Sequence, residues 1–414
     1  MKILCPRAIL PMAILVAVSC SAADRDAPPD FVLGAVEFSG PPGSAEPNLF
    51  TTGDGRVLMS WHEPTGEETH ALRMAVRTQH GWSEPVTVAQ DRAFFVNWAD
   101  FPSVVEQTDG TWVVHWLEKV ARPPYAYHVM LSRSTDNGET WSEPGRAHQD
   151  LSPTEHGFVS MVPLAEGGVS LLFLDGRSTG PGLDGHGMGP MSVRFNMVSA
   201  DGKIGSESLV DERACDCCQT ALVRLDNGNF VAAYRDRTEE EIRDIAVSRL
   251  IDGEWTDPRV VANDNWHFAA CPVNGPSLAT AGDDVVLAWF TAPDGDNRVS
   301  VAFSRDGAET FGTPIRIDDG NPSGRVDIEL LDDGSALVVW LEQMGKEAAI
   351  RARRVEASGA LGAPWTVTST SATRRSGFPR LTITGDEVVF AWTLVGDDGG
   401  VRVATAVAVE RIGG

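Results

Sequence analysis

Three of the six cysteines in this 414-residue chain fall within four positions, as Cys215, Cys217 and Cys218 in the stretch RACDCCQTA. A fourth, Cys271, follows His267 by four residues in HFAAC. Thiolates and an imidazole at close spacing can hold zinc or copper. They can also close disulfides, since four cysteines allow three complete pairings, or persist as reactive thiols. C-x-C-C with H-x3-C is not a standard zinc spacing, so disulfides are expected ahead of a metal at Cys215, Cys217, Cys218, His267 and Cys271. The Gly-rich stretch DGHGMGPM adds His186, Met188 and Met191. These are soft donors that suit copper better than zinc, or else incidental residues of a loop. Asp100, Asp216, Asp236 and Glu118 are candidate acid and base carboxylates for glycoside chemistry.

Which of these chemistries is open depends on the compartment. The opening MKILCPRAILPMAILVAVSC joins a basic start (Lys2, Arg7) to an apolar run and a small-residue end at Ser19 and Cys20. That is the pattern of a secretory signal, too short to span a bilayer. Its last four residues also resemble a bacterial lipobox, in which Cys20 would be lipidated. Residues 1–19 are therefore read as a signal peptide, 20–31 as a flexible tether and 32–414 as one folded domain. The expected location is the cell envelope as a lipoprotein, or the periplasm or medium. Export permits disulfides. Loss of Lys2 and Arg7 takes the net charge from −24 to −26. Such a surface repels phosphate backbones, which excludes nucleic acid as a partner. Membrane contact is expected only through a lipid anchor, and the protein is expected to be a monomer.

The elements that position these residues follow from an internal repeat. Short apolar runs carrying an aromatic recur at Trp61, Trp116, Phe173, Tyr234, Trp289, Trp340 and Trp392, spaced by 51 to 61 residues. Each follows a Gly-centred turn such as GDGR or LDDGS, with one short strand before the turn and an alternating strand after the run. Helical periodicity is absent. Turn-bounded strands at this period predict an all-β chain: a single β-propeller of four-stranded blades, seven by this count, with six as the alternative. The early strand FVLGAVEF is placed to supply the outer strand of the last blade and close the ring.

The segment STDNGETW (Ser134 to Trp141) matches S-x-D-x-G-x-T-W throughout. SRDGAETF (Ser304 to Phe311) repeats it 170 residues later, with Ala308 for Gly and Phe311 for Trp. On these motifs and the repeat, the chain resembles the Asp-box (BNR-repeat) sialidase-like propellers over nearly all of its predicted folded part. The box itself is a turn, in which Asp and Ser side chains bond backbone amides and Gly takes the left-handed position.

The resemblance implies glycan or glycoconjugate partners and a sialidase-like exo-glycosidase. Such an enzyme uses three arginines on the substrate carboxylate, a Tyr nucleophile assisted by Glu, and an Asp acid/base. Strand alternation collects the loops before the first strands, and those between second and third strands, on one face. Arg235, Arg325 and Arg380 could there form the grip, with Arg177 and Asn274 as further substrate contacts. Asp100, Asp216, Tyr125 and Glu118 are the catalytic candidates. The family's Arg-Ile-Pro motif is missing, and the usual sialidase blade count is six. A non-catalytic glycan- or protein-binding surface propeller and a Cys/His metalloprotein holding zinc or copper are the alternatives. No cofactor follows with certainty.

Overall fold

The computed structural model describes residues 30–122, 125–180, 189–345 and 347–411. The signal peptide, Cys20, most of the tether, His186 and Met188 lie outside the described residues.

Among the described residues the chain builds seven antiparallel sheets, six of them from consecutive strands and the seventh from the last three strands and the first. They are the seven blades of a β-propeller. Blade one begins at Ala45–Thr51, blade two at Ser103–Glu106, blade three at His156–Pro163, and blade four at Ala221–Arg224. Blades five, six and seven begin at Ser277–Ala281, Pro322–Leu330 and Arg380–Thr384. The aromatic of each repeat lies on the second strand of its blade, and all seven are buried, from Trp61 and Trp116 to Trp392. That strand is flanked by paired neighbours and covered on both faces by adjacent blades, so it reads as a continuous apolar run. In blades one and four the outer strand is split, into Gly81–Trp82 and Val86–Gln90, and into Glu254–Trp255 and Arg259–Val260. Pro85 and Pro258 fall in the gaps, where a residue without an N–H interrupts the ladder.

The ring closes as the early strand predicted. Phe31–Ser39 pairs antiparallel with Val401–Glu410 and forms the outer strand of blade seven. Phe31 packs against Trp365 of blade six with ring centroids 6.1 Å apart. Arg77 of blade one bonds Glu37 of the closing strand at 2.8 Å and Glu387 of blade seven at 2.7 Å.

Both Asp-boxes form the same turn. Asp136 Oδ1 accepts from Ser134 Oγ at 2.7 Å and from the Thr140 N–H at 2.9 Å, and Asp306 repeats these bonds with Ser304 and Thr310 at 2.7 and 2.8 Å. Gly138 has φ 85°, and Ala308 takes the equivalent left-handed position at φ 62°. The Thr140 hydroxyl and N–H and the Ser134 hydroxyl hold Asp136 down at about 2. Asp306 is also held at about 2: burial opposes the shift, and bonds from Thr310 and Ser304 outweigh it. Carboxyls depressed in the folded state stabilise it above their unfolded values near 4, and that contribution is lost as pH falls towards 2. Urea unfolding across this range should show a falling midpoint, and an Asp136→Asn/Asp306→Asn variant should be less stable at pH 6 and lose less on acidification.

Candidate functional site

Two recesses lined by described residues lie on the face at which the inner strands begin. On the axis lies a narrow channel of about 170 Å³ lined by Asn48, Asp100, Phe158, Gln219, Phe378 and Arg380, among others. Beside blade five lies a wider cleft of about 600 Å³, formed by the loop Asn265–Pro272 and the loop through Asp294 to Asn297.

The arginines expected to grip a carboxylate are committed elsewhere. Arg235 is buried and donates to three backbone carbonyls: Asn274 at 2.8 Å, Arg243 at 2.6 Å and Phe290 at 2.6 Å. Arg325 donates to Ser376 Oγ at 2.7 Å and to the carbonyls of Gly377 and Thr373 at 3.0 and 3.3 Å, with its guanidinium 4.7 Å from the Trp98 ring. Burial lowers both, to about 9 and about 10, which leaves them charged at neutral pH. Arg380 sits over Phe101 and faces Asp327 Oδ2 at 3.3 Å. Arg177 is held by Asp175 and Glu207, each at 2.6 Å. Asn274 accepts from the Arg325 N–H at 2.7 Å and donates to the Pro272 and Ser323 carbonyls, so it joins loops rather than facing an open site. Arg235 and Arg325 are therefore tied to loop backbone and a serine hydroxyl, while Arg380, beside Asp327, lines the axial channel.

The carboxylate candidates separate. Glu118 accepts from Arg92 at 2.6 Å at the rim of blade two. Asp216 lies 3.3 Å from Arg237 and 3.5 Å from Arg243. Asp236 is raised to about 6, chiefly by burial. Asp100 is buried, accepts from the Phe158 N–H at 2.8 Å, and is pushed up to about 8 by burial, with the nearby Glu155 charge adding to it.

Beside Asp100 the structure assembles a group that sequence reasoning only half found. The Tyr127 hydroxyl donates to Glu155 Oε1 at 2.6 Å, and burial followed by the Glu155 charge keeps the phenol neutral far above its usual range. Tyr125, the expected nucleophile, instead packs its ring edge-on to Phe95 at the rim. Phe95 also stacks on Tyr127 with centroids 3.9 Å apart. A side chain at Gly157 would collide with Asp100 and crowd Tyr127, so the absence of a Cβ lets the trio close up. Next to it His128, His148 and His156 bring ring nitrogens within 4.8 Å of one another. Burial, then the charge of His156, lowers His128 to about 4, and the same causes lower His148 further. His156 faces Asp150 at 3.0 Å.

The cysteines gather at one place. The Cys215 and Cys218 sulfurs are brought into contact where a disulfide could form, and Cys217 Sγ lies 3.8 Å from Cys215 Sγ. Cys271, from the neighbouring blade's loop, hydrogen-bonds Cys217, which together with burial raises that thiol. Cys271 thus approaches the cluster, while the sulfurs in contact, Cys215 and Cys218, both belong to the cluster itself. His267 is exposed on the cleft wall, and among the described residues its ring is not grouped with the sulfurs. Met191 is buried in the core between blades three and four.

The seven-bladed ring with Asp-box turns defines a BNR-type propeller. The BNR repeat-like domain family matches residues 55–389, and the chain belongs to that family. No curated protein matches it. Among solved structures it is similar to a protein of unknown function from Dyadobacter fermentans, at 16% identity and TM-score 0.51, covering 92% of this chain and 98% of that one. An ulvan lyase of polysaccharide lyase family PL25, bound to a glucuronate–rhamnose sulfate repeat, aligns at 11% identity and TM-score 0.59, covering 90% and 95%. The NanB sialidase of Streptococcus pneumoniae aligns at 12% identity and TM-score 0.47, covering 91% and 70%. At these identities the likeness is one of fold.

Asp100 provides a test of the axial group. Held protonated up to about 8 when folded, against 3.8 unfolded, it makes stability fall as pH rises from about 4 to about 8. Asp100→Asn keeps an acceptor for Phe158 and cannot ionise. Denaturant melts should show the variant gaining on the wild type as pH rises, with the largest gain at pH 8.

Proposed function

We propose that the protein is a glycan-binding propeller whose ligand lies in the cleft beside blade five. The observation that carries this reading is the aromatic wall of the cleft: Trp266 and Phe268 stack with centroids 5.2 Å apart, and Trp266 rests 4.8 Å above the Arg235 guanidinium. A braced aromatic surface beside polar groups suits the apolar face of a pyranose, with His267 and Asp294 near enough to the cleft to meet hydroxyls. The lining contains no Lys or Arg among its described residues, which favours neutral over anionic sugars. Sugar-polymer binding by the ulvan lyase of similar fold supports a glycan partner. On a glycan array, wild type should bind a set of neutral glycans, and Phe268→Ala should bind them about tenfold or more weakly, a loss of about 1.4 kcal/mol. Absence of any binder with folded protein refutes the proposal.

A second reading, hydrolysis of a terminal acidic sugar, is favoured by the trio Tyr127, Glu155 and Asp100. In it the Tyr127 oxygen attacks the anomeric carbon, Glu155 takes the phenol proton, and protonated Asp100 gives its proton to the leaving oxygen. Water, losing a proton to the Asp100 carboxylate, then displaces the Tyr127 oxygen, which takes its proton back from Glu155. Phe95 covers the phenol, so turnover requires that ring to move. This reading expects sugar release from a sialoside panel, abolished in Tyr127→Phe and unchanged in Phe268→Ala. An intact panel with folded wild type rejects it.

A further inference from the structure

We propose that Cys215, Cys217, Cys218 and Cys271 form a tetrathiolate zinc site at the junction of blades four and five when the Cys215–Cys218 disulfide is reduced. The inference is independent of the glycan reading.

The two loops that carry the sulfurs are held together without help from the sulfurs. Gln219 Oε1 accepts from the Gly275 N–H at 3.0 Å, and a side chain at Gly275 would collide with the Gln219 backbone. The Cys215 N–H donates to the Arg235 carbonyl at 2.8 Å, which fixes the start of the cluster against blade four. The sulfurs are therefore brought together by the fold.

The spacing of three of them comes close to what the ion needs. A tetrahedral site with Zn–S bonds of about 2.3 Å has sulfurs about 3.8 Å apart along each edge. Cys215 and Cys217 stand at 3.8 Å, and the Cys215, Cys217 and Cys218 sulfurs all lie within 4.8 Å of one another. The fourth sulfur, Cys271, contacts Cys217 but is not within 4.8 Å of all three other sulfurs, so its exposed loop has to move inward to complete the tetrahedron. Opening the disulfide lets Cys215 and Cys218 separate to the same edge length.

Cations and an N–H lie around the sulfurs. Four thiolates on a divalent ion carry a net charge of −2. The Val273 N–H donates to Cys217 sulfur, from a residue held at φ 49°, a backbone conformation that a β-branched side chain rarely takes. The Arg235 charge acts on Cys217 and the Arg237 charge on Cys271.

The chemistry balances in two steps. A dithiol reductant passes two electrons and two protons to Cys215–Cys218, giving two thiols and the oxidised reductant as its own disulfide. One Zn²⁺ then replaces the four thiol protons, which are released.

The test uses the whole protein, reduced with a dithiol under anaerobic conditions and desalted. Titration with Zn²⁺ against a chromophoric chelator should give one ion per chain for the reduced form and none for the oxidised form. Cd²⁺ should give a thiolate-to-metal charge-transfer absorption. Cys217→Ser should weaken zinc at least ~100-fold. Cys271→Ser, whose cysteine is exposed and outside the disulfide, should weaken it with the fold intact by thermal melt. Phe268→Ala should still bind one zinc. A folded, reduced wild type that takes up no zinc overturns the proposal, as does wild-type affinity in the Cys217→Ser/Cys271→Ser double variant.

Discussion

The antiparallel pairing of Phe31–Ser39 with Val401–Glu410 is the constraint on which the rest of the molecule depends. Each blade buries its faces only against two neighbours, so an open ring would leave blades one and seven each with an apolar face in water. The N-terminal strand completes blade seven, and Arg77 spans it and Glu387 from blade one. Burial shields this ion-pair network partly from solvent, and the Glu37 bond raises the Arg77 guanidinium far above its ordinary range. Separating the strands breaks a ladder and a charge network together.

With the ring closed, the face loops are ordered from beneath by cations. Arg235 and Arg325 each reach carbonyls or hydroxyls of neighbouring loops, and each has an aromatic ring against its guanidinium. A guanidinium can donate five hydrogen bonds in a fixed fork, which suits tying irregular backbone that has no ladder of its own. The same bonds withdraw these groups from substrate and turn the cleft beside blade five into the accessible recess. Trp266 on Arg235 is thus both a brace for the loop and the floor of the cleft.

Much of this was legible in the sequence because the repeat is periodic. The seven aromatic anchors, the closing strand and the two box turns all follow from strand order and turn chemistry. What escaped is set by paths that carry no pattern. Tyr125 and Tyr127 are equivalent as residue types, and only the course of the loop before the third strand decides which hydroxyl meets Glu155. The acceptors of Arg235 are main-chain carbonyls, which no residue type announces. His128 and His148 come from a strand and a later loop of blade two, and meet His156 only across the blade interface.

The central claim is that the ligand lies against Trp266 and Phe268 rather than on the propeller axis. Hydrogen-exchange mass spectrometry with and without a saturating glycan from the array tests it most directly. The account predicts new protection in peptides covering residues 265–272 and 292–297, with exchange at 97–103 and 155–160 unchanged. Protection confined to 97–103 and 155–160 would contradict it.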